Sequence, residues 1–149
     1  MIRRFGEGPR AGQRYQRRLG AYAILPLEGR LLLTHQDEPE PEIQLPGGGI
    51  DAGESPIAAL HREVFEETGW HIAAPVRFGA FRRFAYMPEY DLWAEKLCTI
   101  YIARPVLCLG EPGEPGHTAL WADIGQAASL LGNPGDRHFT RAFARLNSR

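Results

Sequence analysis

Short apolar runs, broken by glycine and proline, dominate the chain and read mostly as strands. Residues 18–25, with Leu19, Tyr22, Ile24 and Leu25, predict a strand, and Pro26-Leu27-Glu28-Gly29 predicts a turn. Residues 30–35, with Leu31, Leu32 and Leu33 in succession, predict the return strand of a hairpin. The acidic, proline-bearing stretch 36–42 predicts a solvated loop. Residues 43–45 predict a short extended piece leading into Pro46-Gly47-Gly48-Gly49, a glycine turn whose backbone can approach a ligand closely. Residues 77–87 and 96–109 predict two strands joined by a loop over 88–94, followed by a Gly/Pro loop at 111–116 and a short strand at 119–122.

Helical spacing is found in three places. Ser55 as N-cap, Pro56 at the first helical position and Gly69 as a stop predict a helix over 56–68, with Ile57, Leu60 and Val64 as its packing stripe. Residues 124–131 and 136–146 predict two more helices, separated by Gly132-Asn133-Pro134-Gly135. Strands and helices mix without a regular βαβ alternation. The expected class is therefore α+β, a mixed central sheet flanked by helices.

Composition narrows the picture. A chain of 149 residues fits one domain, and 44% hydrophobic residues are enough to build a core. The Gly- and Arg-rich residues 1–17 are expected to be a flexible arm, with 18–149 as the single folded domain. A net charge of −1 argues for neither a nucleic-acid partner nor an acidic tail. Lys96 is the one lysine among 17 basic residues, which reads first as a compositional bias of the genome. No apolar run approaches the ~20 residues a membrane span needs, and a secretory core is absent, so a cytoplasmic protein is expected. Cys98 and Cys108 lack CxxC spacing and read as buried, reduced thiols, and the histidines form no zinc spacing.

The chemistry concentrates in residues 48–70. On the predicted helix Glu63 neighbours both Glu66 and Glu67, and Arg62 can lock a carboxylate bidentately. Carboxylates this close repel one another and hold protons unless a cation lies among them. Mg²⁺ takes a few carboxylates and substrate phosphate oxygens. Glu63, Glu66 and Glu67 supply the carboxylates, a backbone carbonyl of Gly47 or Gly48 can add an oxygen, and Gly48 allows close approach of a phosphate. Arg82 or Arg83 can meet phosphates, although one of an adjacent pair on a strand faces away. Phe81, Phe84, Tyr90 and Trp93 are candidates to stack on a base.

In order, Gly48, Glu54, Arg62, Glu63, Val64, Glu66, Glu67, Gly69 and Trp70 match the pattern G-x5-E-x7-R-E-U-x-E-E-x-G-U, where U is a bulky apolar residue. The segment resembles the Nudix box of the Nudix hydrolase family, with Trp70 where an aliphatic residue is usual. The resemblance implies an α/β/α sandwich that hydrolyses a nucleoside diphosphate linked to another group. It implies Mg²⁺, with Mn²⁺ as an alternative, bound by Glu63, Glu66 and Glu67. Arg62 would orient Glu63, and Glu54 would join or support the metal shell. A general base on a later loop points to Glu111 and Glu114. Tyr86 lies where the family's diadenosine polyphosphate hydrolases carry a tyrosine, which makes that activity the alternative to a nucleoside triphosphate pyrophosphohydrolase. A non-catalytic nucleotide-binding module is a third reading, disfavoured because every acid of the box is present. The partner is expected to be a small nucleotide, and a homodimer is common among relatives.

Overall fold

The computed structural model describes residues 2–148. Met1 and Arg149, at the ends of the expected arm and domain, lie outside the described residues. The N-terminal half holds β1 (Arg3–Arg4), β2 (Gln16–Ile24), β3 (Pro26–Leu27), β4 (Arg30–Gln36), β5 (Glu42–Gln44) and β6 (Gly47–Gly49). After these come α1 (Pro56–Thr68) and two long strands, β7 (Trp70–Met87) and β8 (Leu92–Cys108). The chain ends with β9 (His117–Asp123), α2 (Ile124–Leu130) and α3 (Pro134–Asn147). One sheet has the order β1-β7-β8-β2-β6, and in the other β4 pairs with β3, β5 and β9. The first is mixed: β8 runs parallel to β2 and antiparallel to β7.

Helices cover both sides of the strands. Leu60 and Val64 of α1 pack with Ala21, Ala23, Leu25 and Leu32. Ala127 of α2 and Phe143 of α3 pack with Ile24, Leu31, Leu33, Phe81 and Ile100. Ala23 and Ile24 are adjacent in β2 yet enter different cores, as alternation on a strand requires. This is the expected α/β/α layering. It also explains the leucine run, since Leu31, Leu32 and Leu33 are all fully buried in a strand covered on both faces. Burying each such side chain stabilises the fold by roughly 1.5–3 kcal/mol.

Several local expectations change. Residues 18–25 and 30–35 are not two arms of one hairpin. Both edges of β2 are occupied, by β8 and β6, so β4 joins the other sheet and the hairpin shrinks to β3 and the start of β4. The glycine turn is a strand: β6 pairs antiparallel with β2, Gly47 opposite Tyr22 and Gly49 opposite Gly20. β7 begins at Trp70 rather than at 77 because three register shifts, the last between Arg77 and Gly79, hide the alternation of its first half. The N-terminal segment is anchored. β1 pairs with β7, the Phe5 ring meets Phe81 edge-on at 5.7 Å, and Tyr15 meets Phe84 at 4.9 Å. Two aromatics thus hold a stretch whose polarity suggested a free arm. Cys98 is buried but Cys108 is exposed, and Ile57 faces out of the packing stripe, 38% exposed. No helix among the described residues is long and apolar enough to cross a membrane.

Candidate active site

α1 is fixed at both ends by the residues its sequence provides. The Ser55 side chain accepts the Ala58 N–H at 3.1 Å, and Gly69, at φ 78°, donates its N–H to the Phe65 carbonyl at 2.8 Å. The polar side of the helix is organised by Arg62. Its guanidinium donates to both oxygens of Glu54, Nε to Oε2 at 2.8 Å and Nη2 to Oε1 at 2.9 Å. It also donates to Glu63 Oε1 at 2.9 Å, to Glu66 Oε2 at 3.4 Å and to the Gly49 carbonyl at 3.1 Å. The hydrogen bonds from Arg62, with a further one from the Asp51 N–H, hold the Glu54 carboxyl down at about 2.

Glu67 and Glu63 sit in a different environment. Glu67 is buried, and its Oε1 accepts the Gly47 N–H at 3.0 Å. Burial pushes its carboxyl well above the ordinary range, with Glu63, Glu114 and Glu66 adding to the effect. Burial also raises Glu63, against the pull of Arg62. A fourth carboxylate arrives from the loop before β9, where the Glu114 N–H donates to the Glu66 carbonyl at 2.9 Å. Glu63, Glu66 and Glu114 present oxygens all within 4.8 Å of one another. Glu67, Glu114 and His117 form a second such group, also within 4.8 Å. His117 Nδ1 lies 3.1 Å from Thr34 Oγ1 and 3.6 Å from Glu67 Oε2, and its Nε2 lies 3.9 Å from Glu114 Oε2. Glu114 Oε2 is buried and, among the described residues, has no hydrogen-bond partner. An orphaned carboxylate oxygen beside two carboxyls that resist ionisation is a donor set suited to a divalent cation.

Gly48 presses against this group. A Cβ there would lie 2.5 Å from the Glu63 carboxylate carbon. Gly48→Ala is therefore expected to displace Glu63 and lower kcat by about 100-fold, the effect of a shift near 1 Å at a reacting centre. The three atoms nearest to that Cβ all belong to the Glu63 side chain rather than to backbone, so circular dichroism and the thermal midpoint should stay near wild type. Wild-type kcat in this variant would show that Glu63 need not stand where it does.

Glu63, Glu67 and Glu114 line a cleft of about 440 Å³ that also takes in Tyr22, Arg83, Lys96, Asp136 and His117. Not every residue expected at the site reaches it in the expected way. Glu54 belongs to neither close-packed acid group; it supports Glu63 and Glu66 through their shared partner Arg62. Glu111 is exposed and also outside both groups, unlike Glu114. Gly47 meets the cluster through its N–H. Arg82 faces away and pairs with Glu95 at 3.4 Å, while its neighbour Arg83 lines the cleft. Phe81 in the core marks this parity, since 81, 83 and 85 share a face. Tyr86 stands at the cleft with its hydroxyl donating to Asp91 Oδ1 at 2.5 Å. Asp136 was not foreseen, and His117 was expected at most to help hold substrate from the late loop. Asp136 is buried, accepts the Leu45 N–H at 3.3 Å, and has its carboxyl pushed up to about 7 by that burial. A histidine three residues after Glu114 is a visible signal, whereas nothing in the local sequence marks Asp136.

A crowded, partly buried carboxylate group in a cleft of an α/β/α sandwich is the kind of donor set that could hold a divalent cation. The profile described as NUDIX domain matches residues 14–143, and the chain belongs to that family. A Bacillus subtilis (strain 168) protein described as "Putative 8-oxo-dGTP diphosphatase" is 35% identical over 74 residues, a stretch covering 50% of this chain and 50% of that protein. This chain therefore matches only half the length of that relative. Among solved structures, a NUDIX hydrolase from Nitrosomonas europaea superposes with a TM-score of 0.70 at 19% identity, covering 86% of this chain and 88% of that one. A MutT protein from Bacillus halodurans gives 0.69 at 21% identity, covering 85% and 82%. At those identities the likeness is one of fold.

Proposed function

We propose that this protein is a divalent-metal-dependent pyrophosphohydrolase. Its substrate would be a nucleoside triphosphate or another nucleoside diphosphate joined to a further group. The observation that carries this reading is the convergence of Glu63, Glu67 and Glu114 on one cleft, with Glu66 close against Glu63 and Glu114, and with Glu114 Oε2 accepting no hydrogen bond among the described residues. Glu63, Glu66 and Glu67 are the residues that would hold Mg²⁺ or Mn²⁺. When bound, the cation supplies charge neutralisation on the phosphates and lowers the pKa of water. Arg62 orients Glu63 and Glu66, so the carboxylates keep their geometry as substrate enters. Glu114 accepts the proton of the attacking water as the new P–O bond forms and the bridging P–O bond breaks. Its position is set by the backbone bond to Glu66, with His117 behind it.

Removing that proton acceptor is expected to lower kcat by about 10²–10⁴-fold with little change in KM. Steady-state kinetics of Glu114→Gln and Glu111→Gln test the assignment. Glu111→Gln should behave as wild type, and a larger loss there than in Glu114→Gln would move the base to Glu111. The substrate panel should include oxidised deoxynucleotides, because the Bacillus subtilis relative's description names one. It should also include dinucleoside polyphosphates, which would connect Tyr86 at the cleft to a second nucleoside.

A further inference from the structure

Lys96, the one lysine of the chain, stands at the centre of a row of cations. It is register-paired with Arg18 on β2 and with Arg83 on β7, so the three side chains share one face of three adjacent strands. Arg83 and Lys96 line the cleft that contains Glu63, Glu67 and Glu114. Lys96 and Arg18 line a second cavity, of about 690 Å³, that continues past Gly49 toward Asp51 and Glu54. Glu63 borders both cavities.

Like charges side by side on neighbouring strands repel. The same strands neutralise their cations on the other face, where Arg17 and Arg82 both reach Glu95, at 3.0 and 3.4 Å. On the cavity face, among the described residues, no carboxylate is ion-paired with Arg18, Lys96 or Arg83. Glu89 and Asp136 also line the first cavity, short of pairing with the row. Arg18 is held over the Tyr90 ring at 4.8 Å, a contact that orients the guanidinium without neutralising it. Two interstrand gaps make the row about 10 Å long, more than a single phosphate fills and suited to a chain of phosphates.

We infer that Arg18, Lys96 and Arg83 form a polyphosphate subsite, which holds the phosphates extending away from the carboxylates and favours substrates with a long anionic chain. The inference rests on the hydrolase reading for its place in the reaction, but the binding it describes can be measured separately. Lysine suits the middle position, since a compact ammonium between two guanidiniums crowds them less than a third fork would.

The test is calorimetric titration of inorganic tripolyphosphate into the intact protein, with a chelator present to remove metal binding. Wild type is expected to bind, and Arg18→Gln, Lys96→Gln and Arg83→Gln each to weaken binding about tenfold. Arg82→Gln, on the paired face, should keep wild-type affinity. Lys96→Met should raise the thermal midpoint, because it relieves repulsion that serves only a ligand; a fall in the midpoint would mean that Lys96 is there for the fold. In turnover, the three row variants should raise KM more for a nucleoside triphosphate than for a nucleoside diphosphate joined to an uncharged group. Unchanged tripolyphosphate affinity and unchanged KM, in a protein that still hydrolyses nucleotides with Mg²⁺, overturn the subsite and leave the hydrolase reading standing. Tripolyphosphate binding lost in the row variants, in a protein that cleaves no nucleotide, supports the subsite and overturns the hydrolase reading.

Discussion

Glu67→Gln is expected to lower Mg²⁺-dependent turnover by about 10³-fold or more and, at the same time, to make the metal-free protein more stable. The loss of rate follows from removing one charged donor from a cation worth several kcal/mol to the transition state, at ~1.4 kcal/mol per factor of ten. The gain in stability follows from burial. The folded Glu67 carboxyl titrates well above the ordinary range because it is desolvated among other acids. Below about pH 4 both folded and unfolded chains hold this proton, and no penalty exists. As pH rises from there toward the raised folded value, the unfolded chain releases the proton and the folded chain keeps it, so stability falls across that window. Gln removes the titration and can still accept the Gly47 N–H. Urea unfolding against pH should therefore show a decline in wild type that is smaller in the variant. Added Mg²⁺ should stabilise wild type and affect the variant much less. A variant less stable than wild type at pH 8 in chelator would count against a strained, cation-seeking Glu67.

Gly47→Ala is expected to cost about 4 kcal/mol or more, at the extreme of single substitutions. Gly47 has φ of 149°, and a Cβ there would lie 2.2 Å from the Ala21 carbonyl oxygen. A backbone atom on the far side of the contact cannot swing away, and the backbone strain adds to the clash. The same residue donates its N–H to Glu67, so fold and site fail together. Gly49→Ala is the control, because a Cβ there meets nothing within 4 Å. The urea midpoints of the two variants, measured side by side, check the contrast. Equal midpoints would mean that β6 yields more readily than its packing against β2 allows.

The acidic helix was legible in the chain because its determinants are local. Ser55, Pro56 and Gly69 fix its ends, and helical spacing alone brings Glu63, Glu66 and Glu67 together. What was not legible depends on pairing between distant segments. The glycines of 47–49 have no strand propensity, and only their antiparallel seat against β2, under the Glu63 carboxylate, makes them a strand. The choice between Arg82 and Arg83 required the parity of β7, which its bulges obscure. The cation row is the extreme case: Lys96 is marked in the sequence only as its one lysine and Arg83 only as half of an adjacent pair, and they become neighbours of each other and of Arg18 only through the order β7-β8-β2.

On the function proposed above, this carboxylate cleft breaks phosphoanhydride bonds with the help of a divalent cation. The most direct measurement is the rate of cleavage across a nucleotide panel, with products identified by mass, for wild type and Glu67→Gln in Mg²⁺ and in chelator. Wild type is expected to cleave the anhydride in Mg²⁺ and not in chelator, and the variant to show a trace at most. Cleavage that survives the chelator, or a variant as fast as wild type, would contradict it.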